Sequence, residues 1–269
     1  MVTASRDFEW SKVAIENENA LNEVRNKAAE LGGNATFVVM DDCNVDEAAK
    51  IALGAFANSG QRCTAIRKIF LHHAVADTFM KKFVEMTSQI ICGDPFDMKT
   101  DMGTVISVEQ AKLIERRVNL AVEEGARVMI GNQREGAIYF PTIVDAVNPK
   151  SELVVEETFG PVASIIKINN LDDAISLIKT DKFGLASAIA TASQEKAIKL
   201  QESICVGQFS WNGQPGYRTE KAPFGGFGDS GNGEKEGTVM MTRAMHRIKT
   251  FYAHNTKVKN VYGVSVENQ

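Results

Sequence analysis

Apolar and polar positions along this chain switch repeatedly between short runs rich in β-branched residues and stretches with a 3.6-residue period, the pattern of alternating strands and helices. Residues 36–40 predict a buried strand, and Asp41-Asp42-Cys43-Asn44 supplies turn and capping chemistry for a helix over 45–57 with Asp46 and Glu47 in its first turn. A strand over 67–72 leads into a helix over 75–90, in which Val75, Phe79, Phe83, Met86 and Ile90 keep the helical period. Asp94-Pro95-Phe96-Asp97 breaks the pattern, and Ser107 with Gln110 opens a further helix over 107–124 with a near capping box. Strands follow over 126–130 and 139–144, then a strand over 162–168, a helix over 171–179, a strand over 186–191, a helix over 194–203 and strands over 206–211 and 248–252. The N-terminal stretch 7–29 reads as a polar surface helix with Val13, Ala14, Leu21, Val24 and Ala28 on one stripe. This alternation predicts an α/β fold with a layered, mostly parallel sheet flanked by helices, and argues against a bundle or a sandwich.

Composition leaves that picture unchanged and removes several function classes. The chain has 269 residues, 44% hydrophobic and 24% charged, with a formal net charge of −4. That is ordinary for a soluble globular protein and gives no basic balance for nucleic acid or an acidic membrane. No apolar run is long enough to span a bilayer, and residues 1–10 lack the charged start and apolar core of a signal peptide, so a cytoplasmic location is expected. Cys43, Cys63, Cys92 and Cys205 are scattered singly, without metal-ligand spacing or a disulfide framework. Cys92 and Cys205 follow apolar residues and read as buried positions; Cys63 stands apart.

Cys63 lies in Asn58-Ser59-Gly60-Gln61-Arg62-Cys63-Thr64-Ala65, a small polar loop between apolar segments, beside an arginine that favours thiolate. A lone cysteine in such a loop is more often structural than reactive. Its company changes the balance: Glu30-Leu31-Gly32-Gly33-Asn34 upstream, Glu156-Glu157-Thr158-Phe159-Gly160-Pro161-Val162 downstream, and Pro223-Phe224-Gly225-Gly226 with Asp229-Ser230-Gly231 near the end. In this order and at these distances the four segments resemble the aldehyde dehydrogenase superfamily, over its C-terminal, catalytic half. Gly60 to Ala65 and Pro215-Gly216-Tyr217-Arg218 are most similar to the phosphonoacetaldehyde dehydrogenase branch.

The resemblance implies a domain organisation and a chemistry. Residues 1–29 do not match the family, 30–243 correspond to the catalytic domain, and 244–269 to a bridging strand and tail used in subunit assembly. Cys63 is implied as the nucleophile that adds to an aldehyde, and Glu30 as the base that activates water against the resulting thioester. Glu157 and Phe159 correspond to positions that hold the ribose and border the nicotinamide of NAD or NADP. The half that would complete this cofactor site is not matched, so the isolated chain is expected to bind cofactor poorly and oxidise aldehydes little. A separate cofactor-domain chain and homo-oligomerisation are the partners the family implies. Arg62 and Arg218 offer planar guanidinium forks for an anionic tail on a small aldehyde, phosphonate or phosphate, with Tyr217 walling the same pocket. No metal is implied. Two other classes stay open: a cofactor-independent thiol esterase using Cys63 and Glu30, and a non-catalytic truncated fragment serving assembly. Gly226-Phe227-Gly228-Asp229-Ser230-Gly231 satisfies Gly-x-Gly-x-x-Gly but follows a proline rather than a strand, and is read as structural support.

Overall fold

A computed structural model describes residues 2–3, 29–233, 236–246, 249–250 and 252. Residues 7–28 of the helix expected over 7–29, and residues 248 and 251 of the strand expected over 248–252, lie outside the described residues. Two short strands open the described chain, β1 (Val2–Thr3) and β2 (Ala29–Glu30), paired in parallel. The central elements follow: β3 (Ala35–Val39), α1 (Val45–Ala52), β4 (Ile66–His72), α2 (Ala76–Ser88) and α3 (Val108–Glu123). Then come β5 (Arg127–Ile130), β6 (Arg134–Glu135), β7 (Ile138–Tyr139), β8 (Thr142–Asp145), α4 (Glu152–Val155), β9 (Val162–Ile168) and α5 (Leu171–Lys179). The chain continues through β10 (Phe183–Gly184), β11 (Ala186–Ala190), α6 (Gln194–Ser203), β12 (Gln208–Trp211), β13 (Phe227–Gly228) and α7 (Thr238–Met245).

Seven strands form the main sheet in the order β12-β11-β3-β4-β9-β8-β5. All neighbours run parallel except β5, which lies antiparallel on β8. The α/β reading therefore holds. Both faces are covered, which is why the inner strands are apolar throughout rather than alternating. On one face α1 and α2 pack Ala48, Ala52, Phe79 and Phe83 against Phe37, Ile69 and Leu71. On the other, α3, α4, α5 and α6 bring Ile114, Val118, Leu153, Ile175 and Leu200 onto Val38, Phe70, Ile166 and Ile189. Each fully buried side chain of this size contributes about 1.5–3 kcal/mol, and successive residues of one strand serve opposite layers.

Several expected boundaries moved, for local reasons. The helix expected over 45–57 ends at Ala52 and passes into tight turns at Leu53–Ala55 and Ala57–Gly60, where Asn58 and Ser59 turn left-handed at φ 54° and 55°. The single strand expected over 139–144 is two: Ile138–Tyr139 closes a hairpin with Arg134–Glu135, and Pro141, which has no N–H to donate, separates it from β8. The helix expected over 107–124 starts where the cap pattern put it, with Ser107 Oγ accepting from the Gln110 N–H at 3.1 Å. Cys205 is exposed, not buried, because Ile204 takes the buried position at the end of α6; Cys92 is half-buried.

Adjacent strands β3 and β11 send their following helices to opposite faces, so the carboxyl ends of these strands form the crevice where open α/β sheets usually bind ligands. Here that crevice is bridged. Lys196 pairs with Asp41 at 2.7 Å and Asp42 at 3.3 Å, Thr191 Oγ1 donates to Asp42 at 2.7 Å, and the Lys196 hydrogen bond holds Asp41 below the usual carboxylate range. The segments singled out in the sequence gather at the other edge.

Candidate functional site

Gly33, Cys63, Phe159, Leu185 and Val206 stand just before β3, β4, β9, β11 and β12, so the parallel sheet brings their segments together at its amino edge. Cys63 sits on a tight turn in which the Ala65 N–H donates to the Arg62 carbonyl at 3.0 Å. It is half-buried and packs against the small cluster of Ala35, Leu185, Ala186 and Phe224. Phe224 thereby belongs to the cluster against which Cys63 packs.

The approach to this turn is left-handed through three consecutive residues, Asn58, Ser59 and Gly60 at φ 54°, 55° and 66°. Two of them carry side chains, for which that conformation costs roughly 1–2 kcal/mol each. The neighbouring loop offsets the cost by hydrogen bonding. Ser59 Oγ donates to the Gly103 carbonyl at 3.0 Å, and Gln61 Oε1 accepts the Ile106 N–H at 2.7 Å. Gly60 has no room for a side chain, since an added Cβ would run into the Gly160 carbonyl and lie 2.7 Å from Pro161 N. The cysteine turn and the 156–161 loop are thus in backbone contact.

The Glu30–Asn34 segment closes the same corner. Leu31 N–H donates to the Ser230 carbonyl at 3.1 Å, and Asn34 Nδ2 donates to the Val154 carbonyl at 2.8 Å. A Cβ on Gly33 would collide with the Cys63 carbonyl oxygen and lie 2.9 Å from Leu185 Cδ2, so this backbone passes directly beside the cysteine turn. Glu30 is the last residue of β2; its side chain lies outside the described residues.

Glu157 reaches into this segment. Its Oε1 accepts the Gly33 N–H at 3.0 Å, and only a glycine fits at position 32, where the backbone is left-handed at φ 97° and faces the same carboxylate. A carboxylate oxygen accepts from a hydroxyl group as readily as from a backbone N–H. Phe159 is half-buried and itself left-handed at φ 47°, an unusual conformation for a bulky residue. Gln110 Nε2 donates to the Thr158 carbonyl at 2.9 Å and Arg117 to the Glu157 carbonyl at 2.8 Å, which fastens the loop to α3.

Of the expected anion-binding residues, Arg62 lies at the site and Arg218 is otherwise engaged. Arg62 is half-buried one residue before the cysteine, and a Cβ on Gly216 would lie 2.9 Å from its guanidinium. The 215–218 segment therefore does come to the cysteine turn. Arg218, however, stacks on the Phe224 ring at 4.6 Å and approaches Glu236 at 3.5 Å. Tyr217 is 71% exposed, its backbone carbonyl accepting from Gln208. The glycine-rich loop 226–231 pairs through β13 with β10, Ser230 Oγ accepts the Gly184 N–H at 3.1 Å, and among the described residues no helix opens directly from the loop as a dinucleotide fingerprint requires.

Sequence reasoning missed Arg67, which is 3% exposed. Its guanidinium donates to the carbonyls of Gly60, Arg62 (3.4 Å) and Gly160 (2.5 Å), and lies 5.9 Å from the Phe159 ring centroid. Burial brings its pKa down to about 10, opposed by the negative charges of Glu157 and Cys63, so it is charged at neutral pH. Two adjacent basic residues, Arg67 and Lys68, inside an otherwise apolar strand were the available signal. The other half-buried thiols differ in setting: burial, with Asp42 alongside, pushes Cys43 up to about 11, and burial raises Cys92. Among the described residues no group of His, Cys, Asp and Glu is placed to hold a metal, and no helix is long and apolar enough to cross a membrane.

Comparison with known proteins gives one consistent answer. The family model described as the aldehyde dehydrogenase family matches residues 12–251. A sulfoacetaldehyde dehydrogenase from Neptuniibacter caesariensis is 40% identical over 222 residues, which is 82% of this chain and 48% of that protein. A lactaldehyde dehydrogenase from Methanococcus maripaludis is 35% identical over 87% of this chain and 50% of its own length. Among solved structures, an NADP-dependent enzyme from E. coli superposes with a TM-score of 0.80 at 30% identity, covering 88% of this chain and 49% of that one. A glyceraldehyde-3-phosphate dehydrogenase from Methanocaldococcus jannaschii complexed with NADP gives 0.78 at 34% identity, covering 88% and 50%. The chain spans about half the length of the curated relatives it matches. These relatives are named for sulfoacetaldehyde and lactaldehyde, not for the phosphonoacetaldehyde that the Arg62 and Arg218 segments suggested.

Proposed function

We propose, from the premise that this chain belongs to the aldehyde dehydrogenase family, that it supplies the thiol half of the oxidation of a small anionic aldehyde to its acid. The observation that carries the reading is the convergence at one sheet edge of the Cys63 turn, the Gly33 backbone, the 156–161 loop and Gly216. Cys63 as thiolate adds to the aldehyde carbon, and the oxygen that gains the electron pair is met by the Cys63 backbone N–H. NAD or NADP, when bound, supplies the hydride acceptor that turns this adduct into a thioester. Glu157, whose carboxylate lies beside Gly33, and Phe159 are the residues of this chain that would hold it. Glu30, on the segment beside the cysteine turn, takes a proton from water; the resulting hydroxide adds to the thioester, the thiolate leaves, and the carboxylic acid is released.

The substrate class follows from Arg62. A half-buried guanidinium one residue from the nucleophile suits a sulfonate or phosphonate two bonds from the carbonyl, and the Neptuniibacter caesariensis relative is named for a sulfonated aldehyde. Sulfonate and phosphonate share the oxygens that a fork of donors recognises, and the reading takes in both.

Protection of Cys63 from iodoacetamide tests this without cofactor, because an aldehyde adduct hides the thiolate. Sulfoacetaldehyde and phosphonoacetaldehyde are expected to protect at roughly tenfold lower concentration than neutral lactaldehyde, with Arg62→Gln levelling the three. Equal protection by all three in the unmodified chain, or none, overturns the reading.

A further inference from the structure

We infer that Arg67 is the positioning residue of this site, its buried guanidinium pinning the turn that carries Cys63 to the loop that carries Glu157 and Phe159 and setting a positive charge behind the thiol. The inference rests on the reading of Cys63 as nucleophile and extends it to a residue with no place in that chemistry.

The geometry is specific to a guanidinium. One side chain donates to two carbonyls of the cysteine turn, Gly60 and Arg62, and to one of the opposite loop, Gly160. Those carbonyls flank the point where Gly60 and Gly160 leave no space for a side chain, so the two loops are held at backbone contact by a planar fork of donors. Three carbonyl oxygens do not neutralise the cation. Its Nε has no hydrogen-bond partner among the described residues, and burial makes an unpaired charge costly. The negative groups whose charge it feels are Glu157 and Cys63. A cation held there favours the thiolate form of Cys63 over the thiol.

Other charged groups around the corner are accounted for. Arg62 stands on the cysteine's own turn beside Gly216, and Arg117 reaches the Glu157 carbonyl from α3. Arg218, from the 215–218 segment, is taken up by Phe224 and Glu236. Lys68, next along β4, turns to the other face of the sheet and pairs with Asp181. Glu30, whose side chain lies outside the described residues, precedes Gly33 on the segment against the turn.

The pH dependence of Cys63 alkylation by iodoacetamide, followed by peptide mass spectrometry, reads the thiolate directly in the unmodified chain, in Arg67→Gln and in Arg67→Lys. The unmodified chain is expected to titrate below about 8.5, the ordinary thiol value. Arg67→Gln moves the midpoint up by about one unit, leaving roughly tenfold less thiolate at neutral pH. Arg67→Lys keeps the charge and most of the shift, but loses the fork, and its limiting rate at high pH changes because the turn is no longer held. An unmodified midpoint at or above about 8.5, or a folded Arg67→Gln that titrates as the unmodified chain does, overturns the inference. Should Arg67→Gln fail to fold by circular dichroism, Arg67→Lys decides the positioning role: a midpoint and limiting rate both equal to those of the unmodified chain overturn it. Alkylation needs neither aldehyde nor cofactor, so these outcomes leave the aldehyde reading standing. That reading fails separately, when aldehydes do not protect the thiol.

Discussion

Replacing Gly60 by alanine strikes the joint on which the site depends. Gly60 has φ 66°, and a Cβ built there runs into the carbonyl of Gly160 and comes within 2.7 Å of Pro161 N. The obstacles are backbone atoms, held from the other side by Arg67 and by the parallel pairing of β8 with β9, so no side-chain rotation relieves them. A left-handed alanine costs roughly 1–2 kcal/mol, and overpacking against an unyielding wall a further 1–3 kcal/mol, about 3 kcal/mol in all. For a domain of this size each kcal/mol lowers Tm by about 2–4 °C, which gives a fall of about 6–12 °C. Gly160→Ala is the internal control. A Cβ there meets Ile114 Cδ1, the far end of a flexible side chain in α3, and about half the loss is expected. The assay is urea unfolding by circular dichroism, combined with the rate of Cys63 alkylation at one pH. A Gly60→Ala chain within about 0.5 kcal/mol of the unmodified one, with unchanged alkylation, would show that the two loops are not locked together.

Lys68 and Asp181 form an ion pair with side chains 4% and 8% exposed, so Asp181→Ala strands a buried ammonium and is expected to cost about 3–5 kcal/mol in chemical denaturation, whereas Lys68→Met with Asp181→Leu comes close to neutral. Arg116 and then Arg117 hold Glu152 below the usual carboxylate range. Its folded-state pKa is depressed, so the stability it contributes is complete above the ordinary carboxylate value and is lost as pH falls through the folded value; Glu152→Gln should flatten that acid limb by roughly 0.5–1 kcal/mol, measured as urea midpoints against pH.

Much of the scaffold was legible because burial writes itself into runs of apolar residues. Val162–Ile168 and Gln194–Ser203 have the bounds the pattern gave, and Ser107 caps α3 as expected. The hairpin Arg134–Tyr139 was not legible, since two-residue strands are made by turn geometry and Pro141 rather than by periodicity. The convergence of the Cys63, Gly33 and Phe159 segments was anticipated only through family resemblance; that they meet at the amino edge follows from the parallel pairing of β3, β4 and β9, a long-range property no local pattern encodes. The contacts of Arg218 were not legible for a related reason. Nothing in Pro215-Gly216-Tyr217-Arg218 reveals that Phe224 and Glu236 compete for its guanidinium. Arg67 was passed over because a charge inside a strand reads as an exposed face, and only the contact with the Gly60 and Gly160 carbonyls explains its burial.

The claim that Cys63 attacks carbonyl carbon is tested most directly by treating the chain with p-nitrophenyl acetate at neutral pH and mapping acetylated peptides before hydrolysis is complete. The thiolate displaces p-nitrophenolate and keeps the acetyl group as a thioester. Acetyl is predicted on Cys63 ahead of Cys205, although Cys205 is the more exposed thiol, with Cys43 and Cys92 unmodified because burial keeps them protonated. Acetyl on Cys205 ahead of Cys63, or none on Cys63, would contradict the account.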